Sequence, residues 1–358
     1  MLRSLQACRA FAALLVVLYH TSYGMWRPEK YFGYQPFGQI FDFGFAGVDF
    51  FFVLSGFIIL HIHADDIGQP RALGAYLWKR FSRIYPAYWV IFLLVLPVYL
   101  LVPSYGFGYE RDPDVFVRAF WLFPHPQSHV VLTISWTLVH EIFFYILFGL
   151  LILNKRVGLV VFLAWGGCVL AFACFDSFPW TFLFSAANVR FLAGMGVALA
   201  LRRWRIPAPR MLAMVGLGIF LATGYLDAYH PPRALYEQTI GYTLGSVLIL
   251  AGAVEAERSG LLRPPSWLVY LGDASYSIYL VHFVPLSIFA KVAKTWSLDS
   301  YIPGVVLFVV HASLSVAVGC LFYHVVEHPL HVWTKQFFRR PKVDGATDAA
   351  VESQRRAA

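Results

Sequence analysis

Ten apolar runs divide this chain, each near the roughly 17–25 residues that a helix needs to cross the hydrocarbon of a bilayer. They cover residues 5–23, 44–62, 86–103, 131–153, 157–175, 180–201, 211–226, 237–254, 272–290 and 303–325. Lipid cannot satisfy an exposed backbone group, so only helices or a closed β-barrel can span it. No run shows the apolar–polar alternation of a barrel strand. The pattern predicts an all-α integral membrane protein, a bundle of about ten transmembrane helices. Composition agrees: of 358 residues, 59% are hydrophobic and 13% charged. A soluble domain carries about 45–50% apolar and about 25% charged residues.

The first run, Leu5 to Tyr23, has the length of a secretory leader. Arg9 interrupts it, however, and no small-residue cleavage site follows His20. It is expected to stay as the first span. The last residues are small and polar, which predicts a membrane domain over 1–335 and a disordered cytoplasmic tail over 336–358.

Ten spans put both termini on one side. Twenty of the Lys and Arg residues lie on that side and seven in the opposite loops, with Arg190 left inside the sixth run. The positive-inside rule then puts both termini in the cytoplasm and the protein in the cell inner membrane. The same rule accounts for the net charge of +8, so nucleic acid is not an expected partner. Cys8, Cys168, Cys174 and Cys320 lie in or beside apolar runs without a CxxC pair. They suit buried thiols, and no metal is expected.

Ionisable residues inside apolar runs are costly, so each either pairs internally to fix packing or serves a function. They are Arg9, His20, Asp49, His140, Glu141, Arg190, His282 and His311. The helical repeat carries His20 about 20° past three full turns from Arg9, with a rise of about 16 Å. The two therefore share one face of the first span, Arg9 near its cytoplasmic end and His20 towards its outer end. A cation at the mouth and an imidazole deep inside suit an anionic donor whose reactive end reaches inward. Asp49 matches His20 in depth. It is expected to orient the imidazole, with headgroup water as its other environment. Ser55-Gly56 reads as small-residue helix packing.

Arg80 and Arg83 are at i and i+3, so a helix puts both on one face. Paired guanidiniums suit phosphate oxygens, while ordinary positive-inside charge is the other reading. Glu141, deep in the fourth run, needs a proton, a partner or a wet cavity. Arg190 is its expected ion pair. His140, next to Glu141, points about 100° away. The ninth run holds Ser275-Tyr276-Ser277-Ile278-Tyr279-Leu280-Val281-His282, and the last ends in Glu327-His328-Pro329, whose proline reads as a helix stop.

These segments together resemble the acyltransferase 3 family of membrane acyltransferases. Arg9-x10-His20 is similar to the family's first-helix motif: Arg or Lys, ten residues, then His. Gly47 to Phe57 resembles its second-span signature, and Arg80-x-x-Arg83 with Ile84-Tyr85-Pro86 its cytoplasmic RxxR motif. Trp136-Thr137-Leu138, Glu141, Phe144-Tyr145, the Ser275–His282 stretch and Glu327-His328-Pro329 follow in the family's order. The opening Leu5-Gln6-Ala7-Cys8-Arg9-Ala10 is most similar to members that acetylate exopolysaccharide. His140 departs from the pattern, since many members carry no ionisable residue there.

The resemblance implies an O-acetyltransferase whose donor is acetyl-CoA or another acyl-CoA, bound from the cytoplasm. Arg80 and Arg83 would hold the donor's phosphates, and its thioester arm would pass Arg9 towards His20. His20 would be a general base or an acyl carrier, with Asp49 and Glu141 beside it and Arg190, Tyr279 and His282 as further candidates. The acceptor would be a carbohydrate hydroxyl, on a lipid-linked intermediate or a nascent polysaccharide. Aromatic residues of the outer loops, Trp26, Tyr31, Tyr34 and Trp121, either stack on that sugar or form an interface belt. The SGNH-type hydrolase domain fused in some members is absent, so such a partner would be a separate protein. Two other readings stay open: a transporter of a lipid-linked glycan, and an acyltransferase acting on a lipid or small molecule.

Overall fold

Apolar side chains spread over every turn give helices that bury their backbone polarity within themselves, as lipid requires. The computed structural model describes residues 2–27, 30–102, 108–126, 130–171, 177–230 and 235–336, and among them there are helices and no strand. The chain opens with α1 (Arg3–Thr21), α2 (Ala46–His63), α3 (Leu73–Leu101), α4 (Pro113–Trp121) and α5 (Ser135–Leu153). Next come α6 (Lys155–Ala171), α7 (Trp180–Leu183), α8 (Ala186–Arg203), α9 (Pro209–Tyr229) and α10 (Leu235–Arg258). It ends with α11 (Ser266–Asp273), α12 (Ser275–Val281), α13 (Phe283–Thr295), α14 (Gly304–Phe322) and α15 (His328–Gln336).

Eight helical stretches among the described residues are long and apolar enough to cross a membrane, and the bent pair α12–α13 makes nine. Each of the ten predicted runs overlaps helical structure among the described residues. The one outside that count is α6, which has 17 described residues. Its predicted run continued to 175, and residues 172–176 lie outside the described residues, as does the predicted tail from 337 onward.

Three elements differ from the sequence-based expectation. The sixth run is carried by α7 and α8, with Phe184 and Ser185 between them. The third helix starts at Leu73, well before the predicted residue 86, so Arg80 and Arg83 sit on α3 itself. The ninth run is broken: α12 and α13 meet at 48° around His282. Pro285 has no N–H to offer the Val281 carbonyl, which loosens the ladder there. The His282 carbonyl accepts both the Leu286 N–H at 3.2 Å and Ser315 Oγ of α14 at 3.0 Å.

Helix α1 is the hub, touching α2 and α10 through α14. Its first turn has two orphan N–H groups, on Arg3 and Ser4, that bond to the Glu257 carboxylate at 2.9 and 2.6 Å. That carboxylate also meets the positive end of the helix dipole. A tight seam joins α2 to α8. A Cβ added at Gly56 would stand 2.0 Å from the Phe191 carbonyl oxygen, and one at Gly194 would stand 2.0 Å from that of Val53. In lipid, van der Waals packing of this kind is what holds helices together.

Candidate active site

Two ends of α1 enter the bundle interior. Near its start, Arg9 is half-buried, with its guanidinium 3.5 Å from Gln6 Oε1. Gln6 in turn bonds to Asp273 at the end of α11. Arg9 lies within electrostatic reach of Arg83, Glu327, Glu141 and Tyr145. Among the described residues it forms no ion pair.

Arg80 and Arg83, one turn apart on α3, turn to different partners. Arg83 pairs with the buried Glu327, whose other oxygen accepts from Ser277 Oγ at 2.6 Å. Its guanidinium also lies 5.4 Å from the Tyr276 ring centroid. Arg80 donates to His63 Nε2 at 2.7 Å, and His63 Nδ1 faces Asp66 at 2.7 Å. The charge of Arg83 is thus already answered inside the bundle, while that of Arg80 leans on a neutral-capable ring at the end of α2.

Deeper, Glu141 of α5 accepts from Ser55 Oγ of α2 at 3.0 Å and from the Tyr145 hydroxyl one turn along its own helix. Ser55, Glu141 and Phe51 are all half-buried, so protein does not fully cover this face of α2. The expected Glu141–Arg190 pair does not form. Arg190 of α8 binds Asp49 of α2 instead, at 2.9 Å. Asp49 therefore does not orient His20. The reason is helix rotation: Asp49, Val53 and Gly56 share one stripe of α2, and that stripe faces α8 rather than α1. Depth placed Asp49 correctly and the face of the helix reassigned it. His140 is likewise turned away, packed against Phe182 at 4.5 Å between ring centroids.

His20, half-buried near the C-terminal end of α1, has His282 as its partner. The two rings lie 4.9 Å apart, with His282 Nε2 at 3.2 Å from His20 Nδ1. His282 is fully buried at the α12–α13 break. Tyr279, one turn before it, shares a bond of 2.8 Å with Thr137 Oγ1 of α5, which fixes α12 against α5. The α1 chain after His20 continues into a π-helical turn over Ser22–Trp26, a distortion common near functional sites.

Sequence reasoning named the two histidines without joining them, and missed four partners: Ser55, Tyr145, Glu327 and His63. Glu327 stood in a quoted motif, but its proline drew attention to helix termination. Ser55 was read as packing, a role that falls to its neighbour Gly56. Among the described residues no group of three or more His, Cys, Asp or Glu side chains is gathered as a metal site would need.

Residues 2–324 match a family model described as an acyltransferase domain, that of the acyltransferase 3 family. The chain belongs to this family. As an acyltransferase 3 protein it is a membrane-embedded O-acyltransferase. The exopolysaccharide production protein ExoZ of Rhizobium meliloti is 31% identical over 82% of this chain and 91% of its own length. The acyltransferase MdmB of Streptomyces mycarofaciens is 28% identical over 98% of this chain and 96% of its own. A putative O-acetyltransferase of Staphylococcus aureus is 24% identical over 91% of this chain, which spans 56% of that longer protein. No solved structure matches the chain.

Proposed function

We propose that this acyltransferase moves an acetyl group from cytoplasmic acetyl-CoA onto a hydroxyl of an exported carbohydrate. Arg9 carries the reading. It is a half-buried guanidinium at the inner end of the hub helix, on the same helix face as His20, without a carboxylate of its own. Keeping an unanswered cation inside an apolar bundle is expensive unless an anion completes it. The phosphates of acyl-CoA are such an anion, and Arg80 stands on the same side to help hold them. The family membership and the similarity to ExoZ and to a putative O-acetyltransferase support acyl transfer and a sugar acceptor.

The reaction assigned to these residues is direct transfer. His20 Nε2 takes the proton of the acceptor hydroxyl, and the oxygen bonds to the thioester carbonyl carbon. The C–S bond breaks, and His20 returns the proton to the leaving thiolate. Glu141, held by Ser55 and Tyr145, faces the same interior. The working enzyme has ten spans, both termini in the cytoplasm, and lies in the inner membrane, so that the donor arrives from inside and the acceptor faces His20 from outside.

The test uses inverted membrane vesicles, which supply their own lipid-linked glycans, and labelled acetyl-CoA. Label is expected in the extractable glycan fraction. Arg9→Ala should raise the KM for acetyl-CoA about ten- to a hundredfold, the size of a lost hydrogen bond to a charged group. Arrival of label in lipid or in small metabolites, with none in glycan, would overturn the acceptor assignment. An unchanged KM in Arg9→Ala would overturn the donor site.

A further inference from the structure

Each imidazole of the His20–His282 pair has one ring nitrogen against a backbone carbonyl. His20 Nδ1 is 3.0 Å from Val16 O, and His282 Nδ1 is 2.6 Å from Tyr279 O. A carbonyl oxygen only accepts, so the nitrogen facing it must carry the hydrogen. Both neutral rings are therefore Nδ1–H tautomers. His282 Nε2 then holds a bare lone pair, and it points at His20 Nδ1–H from 3.2 Å. The order is fixed along the chain of atoms: the Tyr279 carbonyl accepts from His282, and His282 accepts from His20, which shares its hydrogen with Val16. The one nitrogen left over is His20 Nε2, with a bare lone pair and no partner among the described residues.

We infer that His282 is a positioning residue that turns His20 Nε2 towards the acceptor hydroxyl and stabilises the imidazolium formed when that nitrogen takes the proton. The inference rests on the acyl-transfer reading above. His282 occupies the place that a carboxylate holds in a serine–histidine–aspartate triad. The carboxylate expected there, Asp49, is committed to Arg190. Once His20 is charged, its Nδ1–H bond to His282 becomes a charge-assisted one, roughly twice as strong as before. No proton leaves His20 Nδ1. The proton count balances with the hydroxyl as donor and the thiolate as final acceptor.

The surroundings explain why a neutral ring serves here. His282 is fully buried, and its neighbours are the rings of Tyr279 and Phe283 and the backbone of the broken helix. A carboxylate at this place would be an uncompensated buried charge in the resting enzyme, whereas an imidazole satisfies both its nitrogens without one. The break at His282 has a purpose in this arrangement. It frees the segment to aim the ring across at α1, and Ser315 Oγ holds the His282 carbonyl in place.

Three variants separate positioning from packing, measured as kcat and KM for labelled acetyl-CoA per folded molecule in inverted vesicles. His282→Gln puts an amide oxygen close to where Nε2 lies, so it can still accept from His20. It should keep kcat within about tenfold of wild type. His282→Asn is too short to reach, and His282→Phe fills the space without an acceptor. Both should lose about 10²-fold or more in kcat, as when the orienting member of a triad is lost, at unchanged KM. Equal kcat in the Gln and Asn variants would overturn the inference, as would a Phe variant as active as wild type. If the Phe variant does not accumulate, the two amides decide alone, since they differ only in reach. His20→Gln in the same vesicles tells the two readings apart. If it still transfers label, His20 is not the base and the underlying reading fails. If it is dead while His282→Asn is fully active, only the inference about His282 fails.

Discussion

Arg190 and Arg9 are both guanidiniums inside helices of one apolar bundle, yet they belong to different kinds of place. Arg190 is 8% exposed and faces Asp49 at 2.9 Å, in the seam where α2 and α8 touch backbone to backbone. Arg9 is half-buried among Arg83, Glu327, Glu141 and Tyr145, and among the described residues it makes a long bond to Gln6. The seam is dry and its charges cancel, which is what a scaffold needs. Around α1, Arg83 and Glu327 pair directly, while Arg9 has no carboxylate in contact among the described residues, which is what an anion-binding chamber needs. Burial ranks these two arginines, but charge balance tells what each does.

The histidines divide in the same way, and the largest expected effect tests that division. His311 uses both ring nitrogens, accepting from Trp26 Nε1 at 3.4 Å and meeting Leu286 O at 2.8 Å. His20 keeps one nitrogen free. His20→Gln retains bulk and hydrogen bonding but cannot take up a proton near neutral pH. It should lower acetyl transfer by about 10²–10⁴-fold with normal folded yield. His311→Gln should do the reverse, costing folded yield and leaving turnover per folded molecule as it was. A His20→Gln protein that keeps a third of wild-type turnover would erase the distinction.

Next in size is the seam itself. Arg190→Met leaves Asp49 buried and unpaired, a change that typically costs about 3–5 kcal/mol. Folded yield and the thermal midpoint in detergent should both drop. The double variant Asp49→Leu with Arg190→Met removes both charges and should recover most of the loss. Turnover per folded molecule should stay near wild type in each. A specific loss of turnover in the double variant, with the fold recovered, would move the pair from the scaffold into the working interior.

Most of the fold was legible because a helix of twenty apolar residues is a property of one stretch of chain. All ten runs overlap helical structure among the described residues, and depth along each helix follows from residue number. Rotation about the helix axis was not legible in that way. Asp49 matches both His20 and Arg190 in depth, and only the face it presents chooses between them. A signal did exist in the glycines. Gly56 lies seven residues after Asp49, and Gly194 four after Arg190, so each charge shares a stripe with the glycine that lets the two backbones meet. The His20–His282 pair was harder to foresee. It depends on where α12 breaks, and a straight ninth helix would have put His282 elsewhere on the face. Arg83 and Glu327 lie 244 positions apart, and nothing local in either segment announces their pairing.

The smallest effect makes the sharpest test, because it sets neighbouring residues against each other. Ser55 and Gly56 are consecutive on α2, about 100° apart around the helix. Ser55 faces the interior and bonds to Glu141 at 3.0 Å, while Gly56 faces α8 with room for no more than a hydrogen. Ser55→Ala removes one of two bonds to Glu141. Tyr145 remains, and because the site is half-buried, water can take the vacated place. The net worth of such a bond is about 0.5–1.5 kcal/mol, so turnover should fall by no more than about tenfold and the fold should be untouched. Gly56→Ala pushes a methyl against a carbonyl oxygen that belongs to the backbone of α8 and cannot rotate away. Overpacking of that kind costs about 1–3 kcal/mol or more, and it should appear as lost folded protein with unchanged turnover in what survives. If the two variants instead behaved alike, both lowering stability or both lowering turnover, α2 would not divide a scaffold seam from a reactive interior.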